Sequence, residues 1–182
     1  DKEGFSLAIM EISDIWEPDR FKEATLVFGT NDNKHPGVNH LLNESNPIYI
    51  GGNLKCIDLP HHYDYKNLRH SPKALKKKFK AMGWNKIVAF QTRNPLHRAH
   101  VEMTLKAIKE LDANLLIHPV VGMTKPGDVD HYTRVRCYNH VLDRYPDNSA
   151  ILSLLPLAMR MGGPREALLH AIIRKNYGCT HL

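Results

Sequence analysis

Three apolar runs, Ile87 to Phe90, Leu115 to Val121 and Ala150 to Leu155, alternate with helical patterns over 96–111, 131–145 and 164–176. Val101, Leu105 and Ile108 form the buried stripe of the first helix, and Val135, Tyr138, Leu142 and Tyr145 that of the second. Strands separated by helices cannot close as hairpins. They need crossovers, which are right-handed and place the strands parallel in one sheet. From residue 86 onward the chain therefore reads as an α/β, Rossmann-like half. In such sheets ligands bind beyond the C-terminal strand ends, near the point where strand order reverses.

The first of those strand ends is the most informative. The apolar Ile87–Phe90 run breaks into Gln91-Thr92-Arg93-Asn94, four side chains that carry hydrogen-bonding or charged groups. Pro95 stands where a helix can open, because its fixed φ suits a first turn. His97 and His100 follow at i, i+3, on one face of that turn. Free backbone N–H groups and the positive end of a helix dipole favour an anion there. A histidine pair alone is commonplace, and zinc-protease spacing is absent: Arg98 follows His97 where a glutamate would be needed.

Upstream, residues 1–64 have another texture. Short apolar stretches, Phe5 to Ile12, Val27-Phe28-Gly29 and Ile48 to Ile57, predict a β-rich region, and Gly51-Gly52 predicts a tight reversal between strands. Ser71-Pro72 opens a helix ended by Gly83, with Leu75, Phe79 and Met82 as its buried stripe. Its five lysines, Lys73, Lys76, Lys77, Lys78 and Lys80, read as a solvated face.

Composition narrows the class. With 182 residues, 42% hydrophobic and 24% charged, the chain has a globular balance. No window holds the ~18 uninterrupted apolar residues of a membrane span. Cys56, Cys137 and Cys179 are an odd, scattered set, against a disulfide framework and for a reducing compartment; Cys137 reads as core. The net charge of +6 suits small anions or nucleic acid equally.

Gln91-Thr92-Arg93-Asn94-Pro95-Leu96-His97-Arg98-Ala99-His100 resembles the signature of the ATP sulfurylase (sulfate adenylyltransferase) family, a variant of the nucleotidylyltransferase His-x-Gly-His element with Ala99 for glycine. The likeness extends through Asn33 to Val38, His118 to His131, Leu155 to Met161 and His170 to Asn176. It implies a partial nucleotidylyltransferase parallel sheet over 65–182, the first half of a catalytic domain, preceded by the later part of a PUA-like β-barrel domain over 1–64. It also implies an internal fragment, inactive alone, lacking a Gly-Arg-Asp-His-Ala loop that family members carry further on.

The activity implied is ATP plus sulfate to adenylyl sulfate plus pyrophosphate, with Mg²⁺ brought by ATP and no organic cofactor. Gln91, Thr92, Arg93 and Asn94 would bind ATP and sulfate, and Thr92, Arg93, Asn94, His97 and His100 would serve catalysis. Arg93 offers a planar fork of donors to a tetrahedral oxyanion. Gln91 and Thr92 are neutral donors, Asn94 meets a phosphate or braces the elbow, and the imidazoles meet charge developing on the phosphates. Lys125, Asp128, Asp130 and Arg134 after the second strand, and Arg160 and Arg165 around Gly162-Gly163, are second-tier candidates. A homo-oligomer, a cytoplasmic location and no nucleic-acid or membrane partner complete the expectation. Two alternatives stay open: a nucleotidylyltransferase with another acceptor, and a basic PUA-related RNA-binding module.

Overall fold

β1 (Ala8–Trp16) and β2 (Tyr49–Cys56) pair antiparallel, with a bulge in β1 between Ile12 and Asp14. Gly51 and Gly52 lie inside β2 opposite that bulge, and not in a turn as the sequence suggested. The reason is close backbone approach: a Cβ on Gly52 would sit 2.1 Å from the Glu11 carbonyl oxygen. Between the strands come α1 (Arg20–Phe28) and the short α2 (Pro36–Asn39), which runs into a π-helical turn at His40–Glu44. Val27-Phe28 is thus a helix end rather than part of a β-rich stretch. Arg20 Nη1 donates to the Leu41 and Leu42 carbonyls, 3.2 and 3.1 Å away, tying α1 to that turn. Ala24, Val38 and Leu41 form a small core there.

These elements belong to the first of two compact units, Asp1–Lys66 and Asn67–Leu182. The structure is a computed structural model that describes residues 3–122 and 127–182. Among the described residues no helix is long and apolar enough to cross a membrane.

In the second unit, Ser71 caps α3 (Pro72–Ala81) by accepting the Ala74 N–H at 3.2 Å. As the periodicity predicts, Leu75 and Phe79 are buried and Met82 packs beside them, against Trp84, Ile87, Ala89, Leu116 and Cys179. The buried cysteine is Cys179; Cys137, expected in the core, is only half-buried. Burial pushes the Cys179 thiol up to about 12.

β3 (Ile87–Phe90), β4 (Asn114–Ile117) and β5 (Ala150–Leu152) form the expected parallel sheet, in that order. β4 and β5 stop short of their apolar runs, and pairing resumes only at Val120 with Leu155. Pro119 lacks an N–H to complete the ladder, while on the opposite edge of the β5 run the Leu154 N–H donates to the Leu68 carbonyl at 2.8 Å. On its other edge β3 meets the returning chain: Val88 bridges His181 in parallel, and the Ala89 N–H donates to the His181 carbonyl at 2.9 Å. β3 is therefore flanked on both sides, and strand order reverses there.

Helices α4 (Arg98–Leu111), α5 (His131–Leu142) and α6 (Gly163–Asn176) connect these strands. α4 begins at Arg98, three residues beyond Pro95. Upstream, Thr92 Oγ1 accepts the Asn94 N–H at 3.1 Å and donates to the Asn94 carbonyl at 2.9 Å. That local turn competes with helix, and Leu96 is buried before the helix opens. In α6 the buried residues are His170 and Arg174, while Leu168, Leu169 and Ile172 are exposed.

Candidate active site

A cleft of about 650 Å³ opens at the C-terminal end of β3, where strand order reverses. Phe90, Gln91 and Arg93 line it from the strand end, Met159 and Met161 from the segment before α6, and Glu166 and His170 from α6 itself. Two of the predicted residues, Gln91 and Arg93, thus meet in one cavity. Their contacts there are with sulfur: Gln91 Nε2 lies 3.8 Å from Met159 Sδ, and Arg93 Nη1 donates to Met161 Sδ at 3.2 Å. Asp128 flanks the same guanidinium, 3.8 Å from Nε.

Thr92 and Asn94 have a different placement. Thr92 is buried, its hydroxyl engaged by the turn. The Asn94 side chain is exposed, and its carbonyl accepts the Tyr138 hydroxyl at 2.9 Å. Burial raises Tyr138 to about 12, so the phenol stays a donor.

The histidines stand beside the cleft. His97 is the N-cap of α4 and His100 is its third residue. The His97 N–H donates to His100 Nδ1 at 3.4 Å, which leaves the ring proton of a neutral His100 on Nε2. The two rings are 3.8 Å apart, and His100 packs on Phe90 at 5.5 Å. Burial, then the neighbouring His97, lowers the His100 pKa and favours that neutral donor. Neither imidazole lines the larger cleft; His97 borders a second cavity of about 510 Å³ between α4 and α5. The pair is joined to the Gln91–Arg93 cleft through the Phe90 ring.

Of the second-tier candidates, Lys125 lies outside the described residues. Asp130 caps α5 by accepting the Thr133 N–H at 2.9 Å, which holds its carboxyl below the usual range. Arg134 is buried and donates to the carbonyls of Arg93 and Val120 at 2.8 and 2.9 Å, bracing the loops after β3 and β4. Arg165 is exposed. Arg160 contributes its backbone N–H, which with that of Gly162 donates to the Glu166 carboxylate at 2.7 and 3.1 Å. The anion position at that Gly-Gly-Pro helix start is already filled by the helix's own acidic side chain.

Behind the cleft lies a buried basic group that sequence reasoning missed. Arg174 contacts His170 Nδ1 closely and donates to the His118 carbonyl at 2.9 Å. Burial lowers Arg174 to about 10. Burial, then Arg174 and His70, lowers His118 to about 3, so this ring is neutral.

Residues 66–182 match the family model described as ATP-sulfurylase, and residues 1–59 match one described as a PUA-like domain. The chain belongs to the ATP-sulfurylase family. It is 57% identical over 97% of its length to the sulfate adenylyltransferases of Phaeosphaeria nodorum and Gibberella zeae, and 55% identical over the same share to that of Mycosarcoma maydis. It spans 31% of the length of these curated relatives. Among solved structures it resembles a hexameric APS kinase from Thiobacillus denitrificans, with a TM-score of 0.77 and 32% identity, covering 99% of this chain and 31% of that one. The expected fold class, an α/β sheet preceded by PUA-like sequence, stands.

Within this ATP-sulfurylase chain, Met159, Met161, Glu166 and His170 line the cleft without having been singled out. A methionine at i, i+2 reads as ordinary apolar filling. Only Glu166, two positions after the Gly-Gly-Pro, carried a signal, that of a first-turn carboxylate reaching back to loop amides.

Proposed function

We propose that the intact protein is a sulfate adenylyltransferase, converting ATP and sulfate to adenylyl sulfate and pyrophosphate. A sulfate oxygen attacks the α-phosphorus in line, the bond to the β-phosphate oxygen breaks, and pyrophosphate leaves with that electron pair. No enzyme-bound covalent intermediate is required; the protein positions two anions and neutralises charge on the leaving group. Residues 65–182 contribute the first half of the nucleotidylyltransferase domain, and residues 1–64 the later part of a PUA-like one.

The observation that carries this reading is Gln91 and Arg93 side by side in the cleft at the end of β3. A planar guanidinium and a neutral amide suit a small tetrahedral oxyanion. Thr92 and Asn94 act by holding the elbow, Asn94 through its carbonyl. His97 and His100, beyond Phe90, donate to the phosphates as negative charge grows on them. Among the described residues no three His, Cys, Asp or Glu side chains gather to hold a metal ion. On this reading Mg²⁺ would come with the nucleotide, held by phosphate oxygens and water, and would supply charge neutralisation there. A soluble homo-oligomer in the cytoplasm, without nucleic-acid partners, is the matching context.

The test is adenylyl sulfate formation by the intact protein and its Arg93→Ala variant. Turnover at the wild-type rate in that variant would remove the assignment.

A further inference from the structure

Met161 has φ +59, a left-handed conformation that costs an ordinary side chain energy and persists only where surroundings enforce it. The enforcing group is visible. Glu166 accepts the N–H of Arg160 with one carboxylate oxygen and that of Gly162 with the other, at 2.7 and 3.1 Å, so it grips the backbone on both sides of Met161. The held residue lays its thioether on Arg93, Sδ to Nη1 3.2 Å. With Asp128 flanking Nε, the edge of the guanidinium that faces the cleft is met by sulfur.

A thioether is a weak acceptor, well matched to a cation that must later exchange it for a charged oxygen. We propose that Met161, clamped by Glu166, is a displaceable latch on Arg93: its sulfur occupies an N–H that the acceptor oxyanion must take over, and thereby weakens anion binding and sets its affinity. Met161 is an affinity-determining residue, and Glu166 is a positioning residue that acts through it. This inference rests on the reading of Arg93 as an oxyanion ligand.

Two variants test it in the intact protein. Met161→Leu keeps the bulk and removes the acceptor. Met161→Gly removes the sulfur with a residue that has no side-chain acceptor and adopts left-handed backbone freely, which separates loss of the latch from backbone strain. Both should lower the sulfate KM relative to the nucleotide KM by roughly 3- to 10-fold, the scale of one modest hydrogen bond. Calorimetry with perchlorate, a tetrahedral oxyanion that cannot be adenylylated, should show the same tightening. Unchanged or weakened perchlorate affinity in both variants overturns the latch, a weakening marking Met161 as a wall of the anion site. Perchlorate binding that tightens in both variants while no adenylyl sulfate forms, even with wild type, would keep the latch and discard the reaction. Perchlorate binding that is indifferent to Arg93→Ala would discard both.

Discussion

The loops after β3 and β4 leave adjacent parallel strands and reach opposite ends. Beyond β3, Gln91 and Arg93 line an open cleft. Beyond β4, His118 is fully buried, and Arg134 and Arg174 spend donors on the carbonyls of Arg93, Val120 and His118. The difference comes from neighbours. The chain after β4 continues to bond on both sides, Val120 N–H to the Thr92 carbonyl and Val121 N–H to the Leu155 carbonyl, so it closes over itself. β3 has the returning 180–181 segment on its other side, and the connections diverge there. The guanidinium on the loop after β3 faces the cleft with a thioether and a carboxylate beside it, whereas those on α5 and α6 are spent on backbone carbonyls.

The sharpest way to break this contrast is to delete each arginine. Arg93→Ala should lower kcat/KM for adenylyl sulfate formation by roughly 100- to 1000-fold, the usual cost of one charge-stabilising donor, measured by pyrophosphate release. Arg134→Met should act on stability instead. It strips donors from the buried Val120 carbonyl and the half-buried Arg93 carbonyl, so unfolding free energy in urea should drop by about 2 to 4 kcal/mol. If Arg134→Met abolished turnover at unaltered stability, the two loops would not differ as described.

The neutral His118 sharpens the contrast through pH. Its folded pKa of about 3 lies below the unfolded value, so between pH 6.5 and 3 the unfolded chain binds the extra proton. Stability is therefore complete above pH 6.5 and declines as pH falls, by up to about 1.4 kcal/mol per unit for one such group. The lowered pKa values of His170 and His70 act in the same direction. Thermal unfolding of wild type and His118→Leu from pH 7 to pH 5 should show a flatter profile in the variant. The smallest expected effect is away from both loops: Ser71→Ala should cost about 1 kcal/mol through the lost cap of α3, leaving the pH profile alone.

Much of the architecture was legible because it rests on periodicity. The α3 stripe of Leu75 and Phe79, the parallel strands and the elbow after β3 follow from local spacing of apolar and polar residues. Gly51-Gly52 suggests a turn because a glycine pair means a turn or a close approach, and only the Glu11 carbonyl of the neighbouring strand, pressed against Gly52, distinguishes them. The start of α4 was placed too early because a side-chain turn at Thr92 outcompeted the Pro95 signal. At the site, residue types were evident and side-chain fates were not: Arg93 and Arg134 look alike in sequence.

Local chemistry alone determined that a polar elbow would follow the first strand of a parallel sheet, since backbone geometry and side-chain period are properties of neighbouring residues. Which donors stay available was decided only by tertiary structure. The partners that occupy or spare them, Met161 and Asp128 for Arg93, and the carbonyls of residues 93 and 120 for Arg134, come from distant segments. A buried donor must satisfy itself on whatever the fold brings near it.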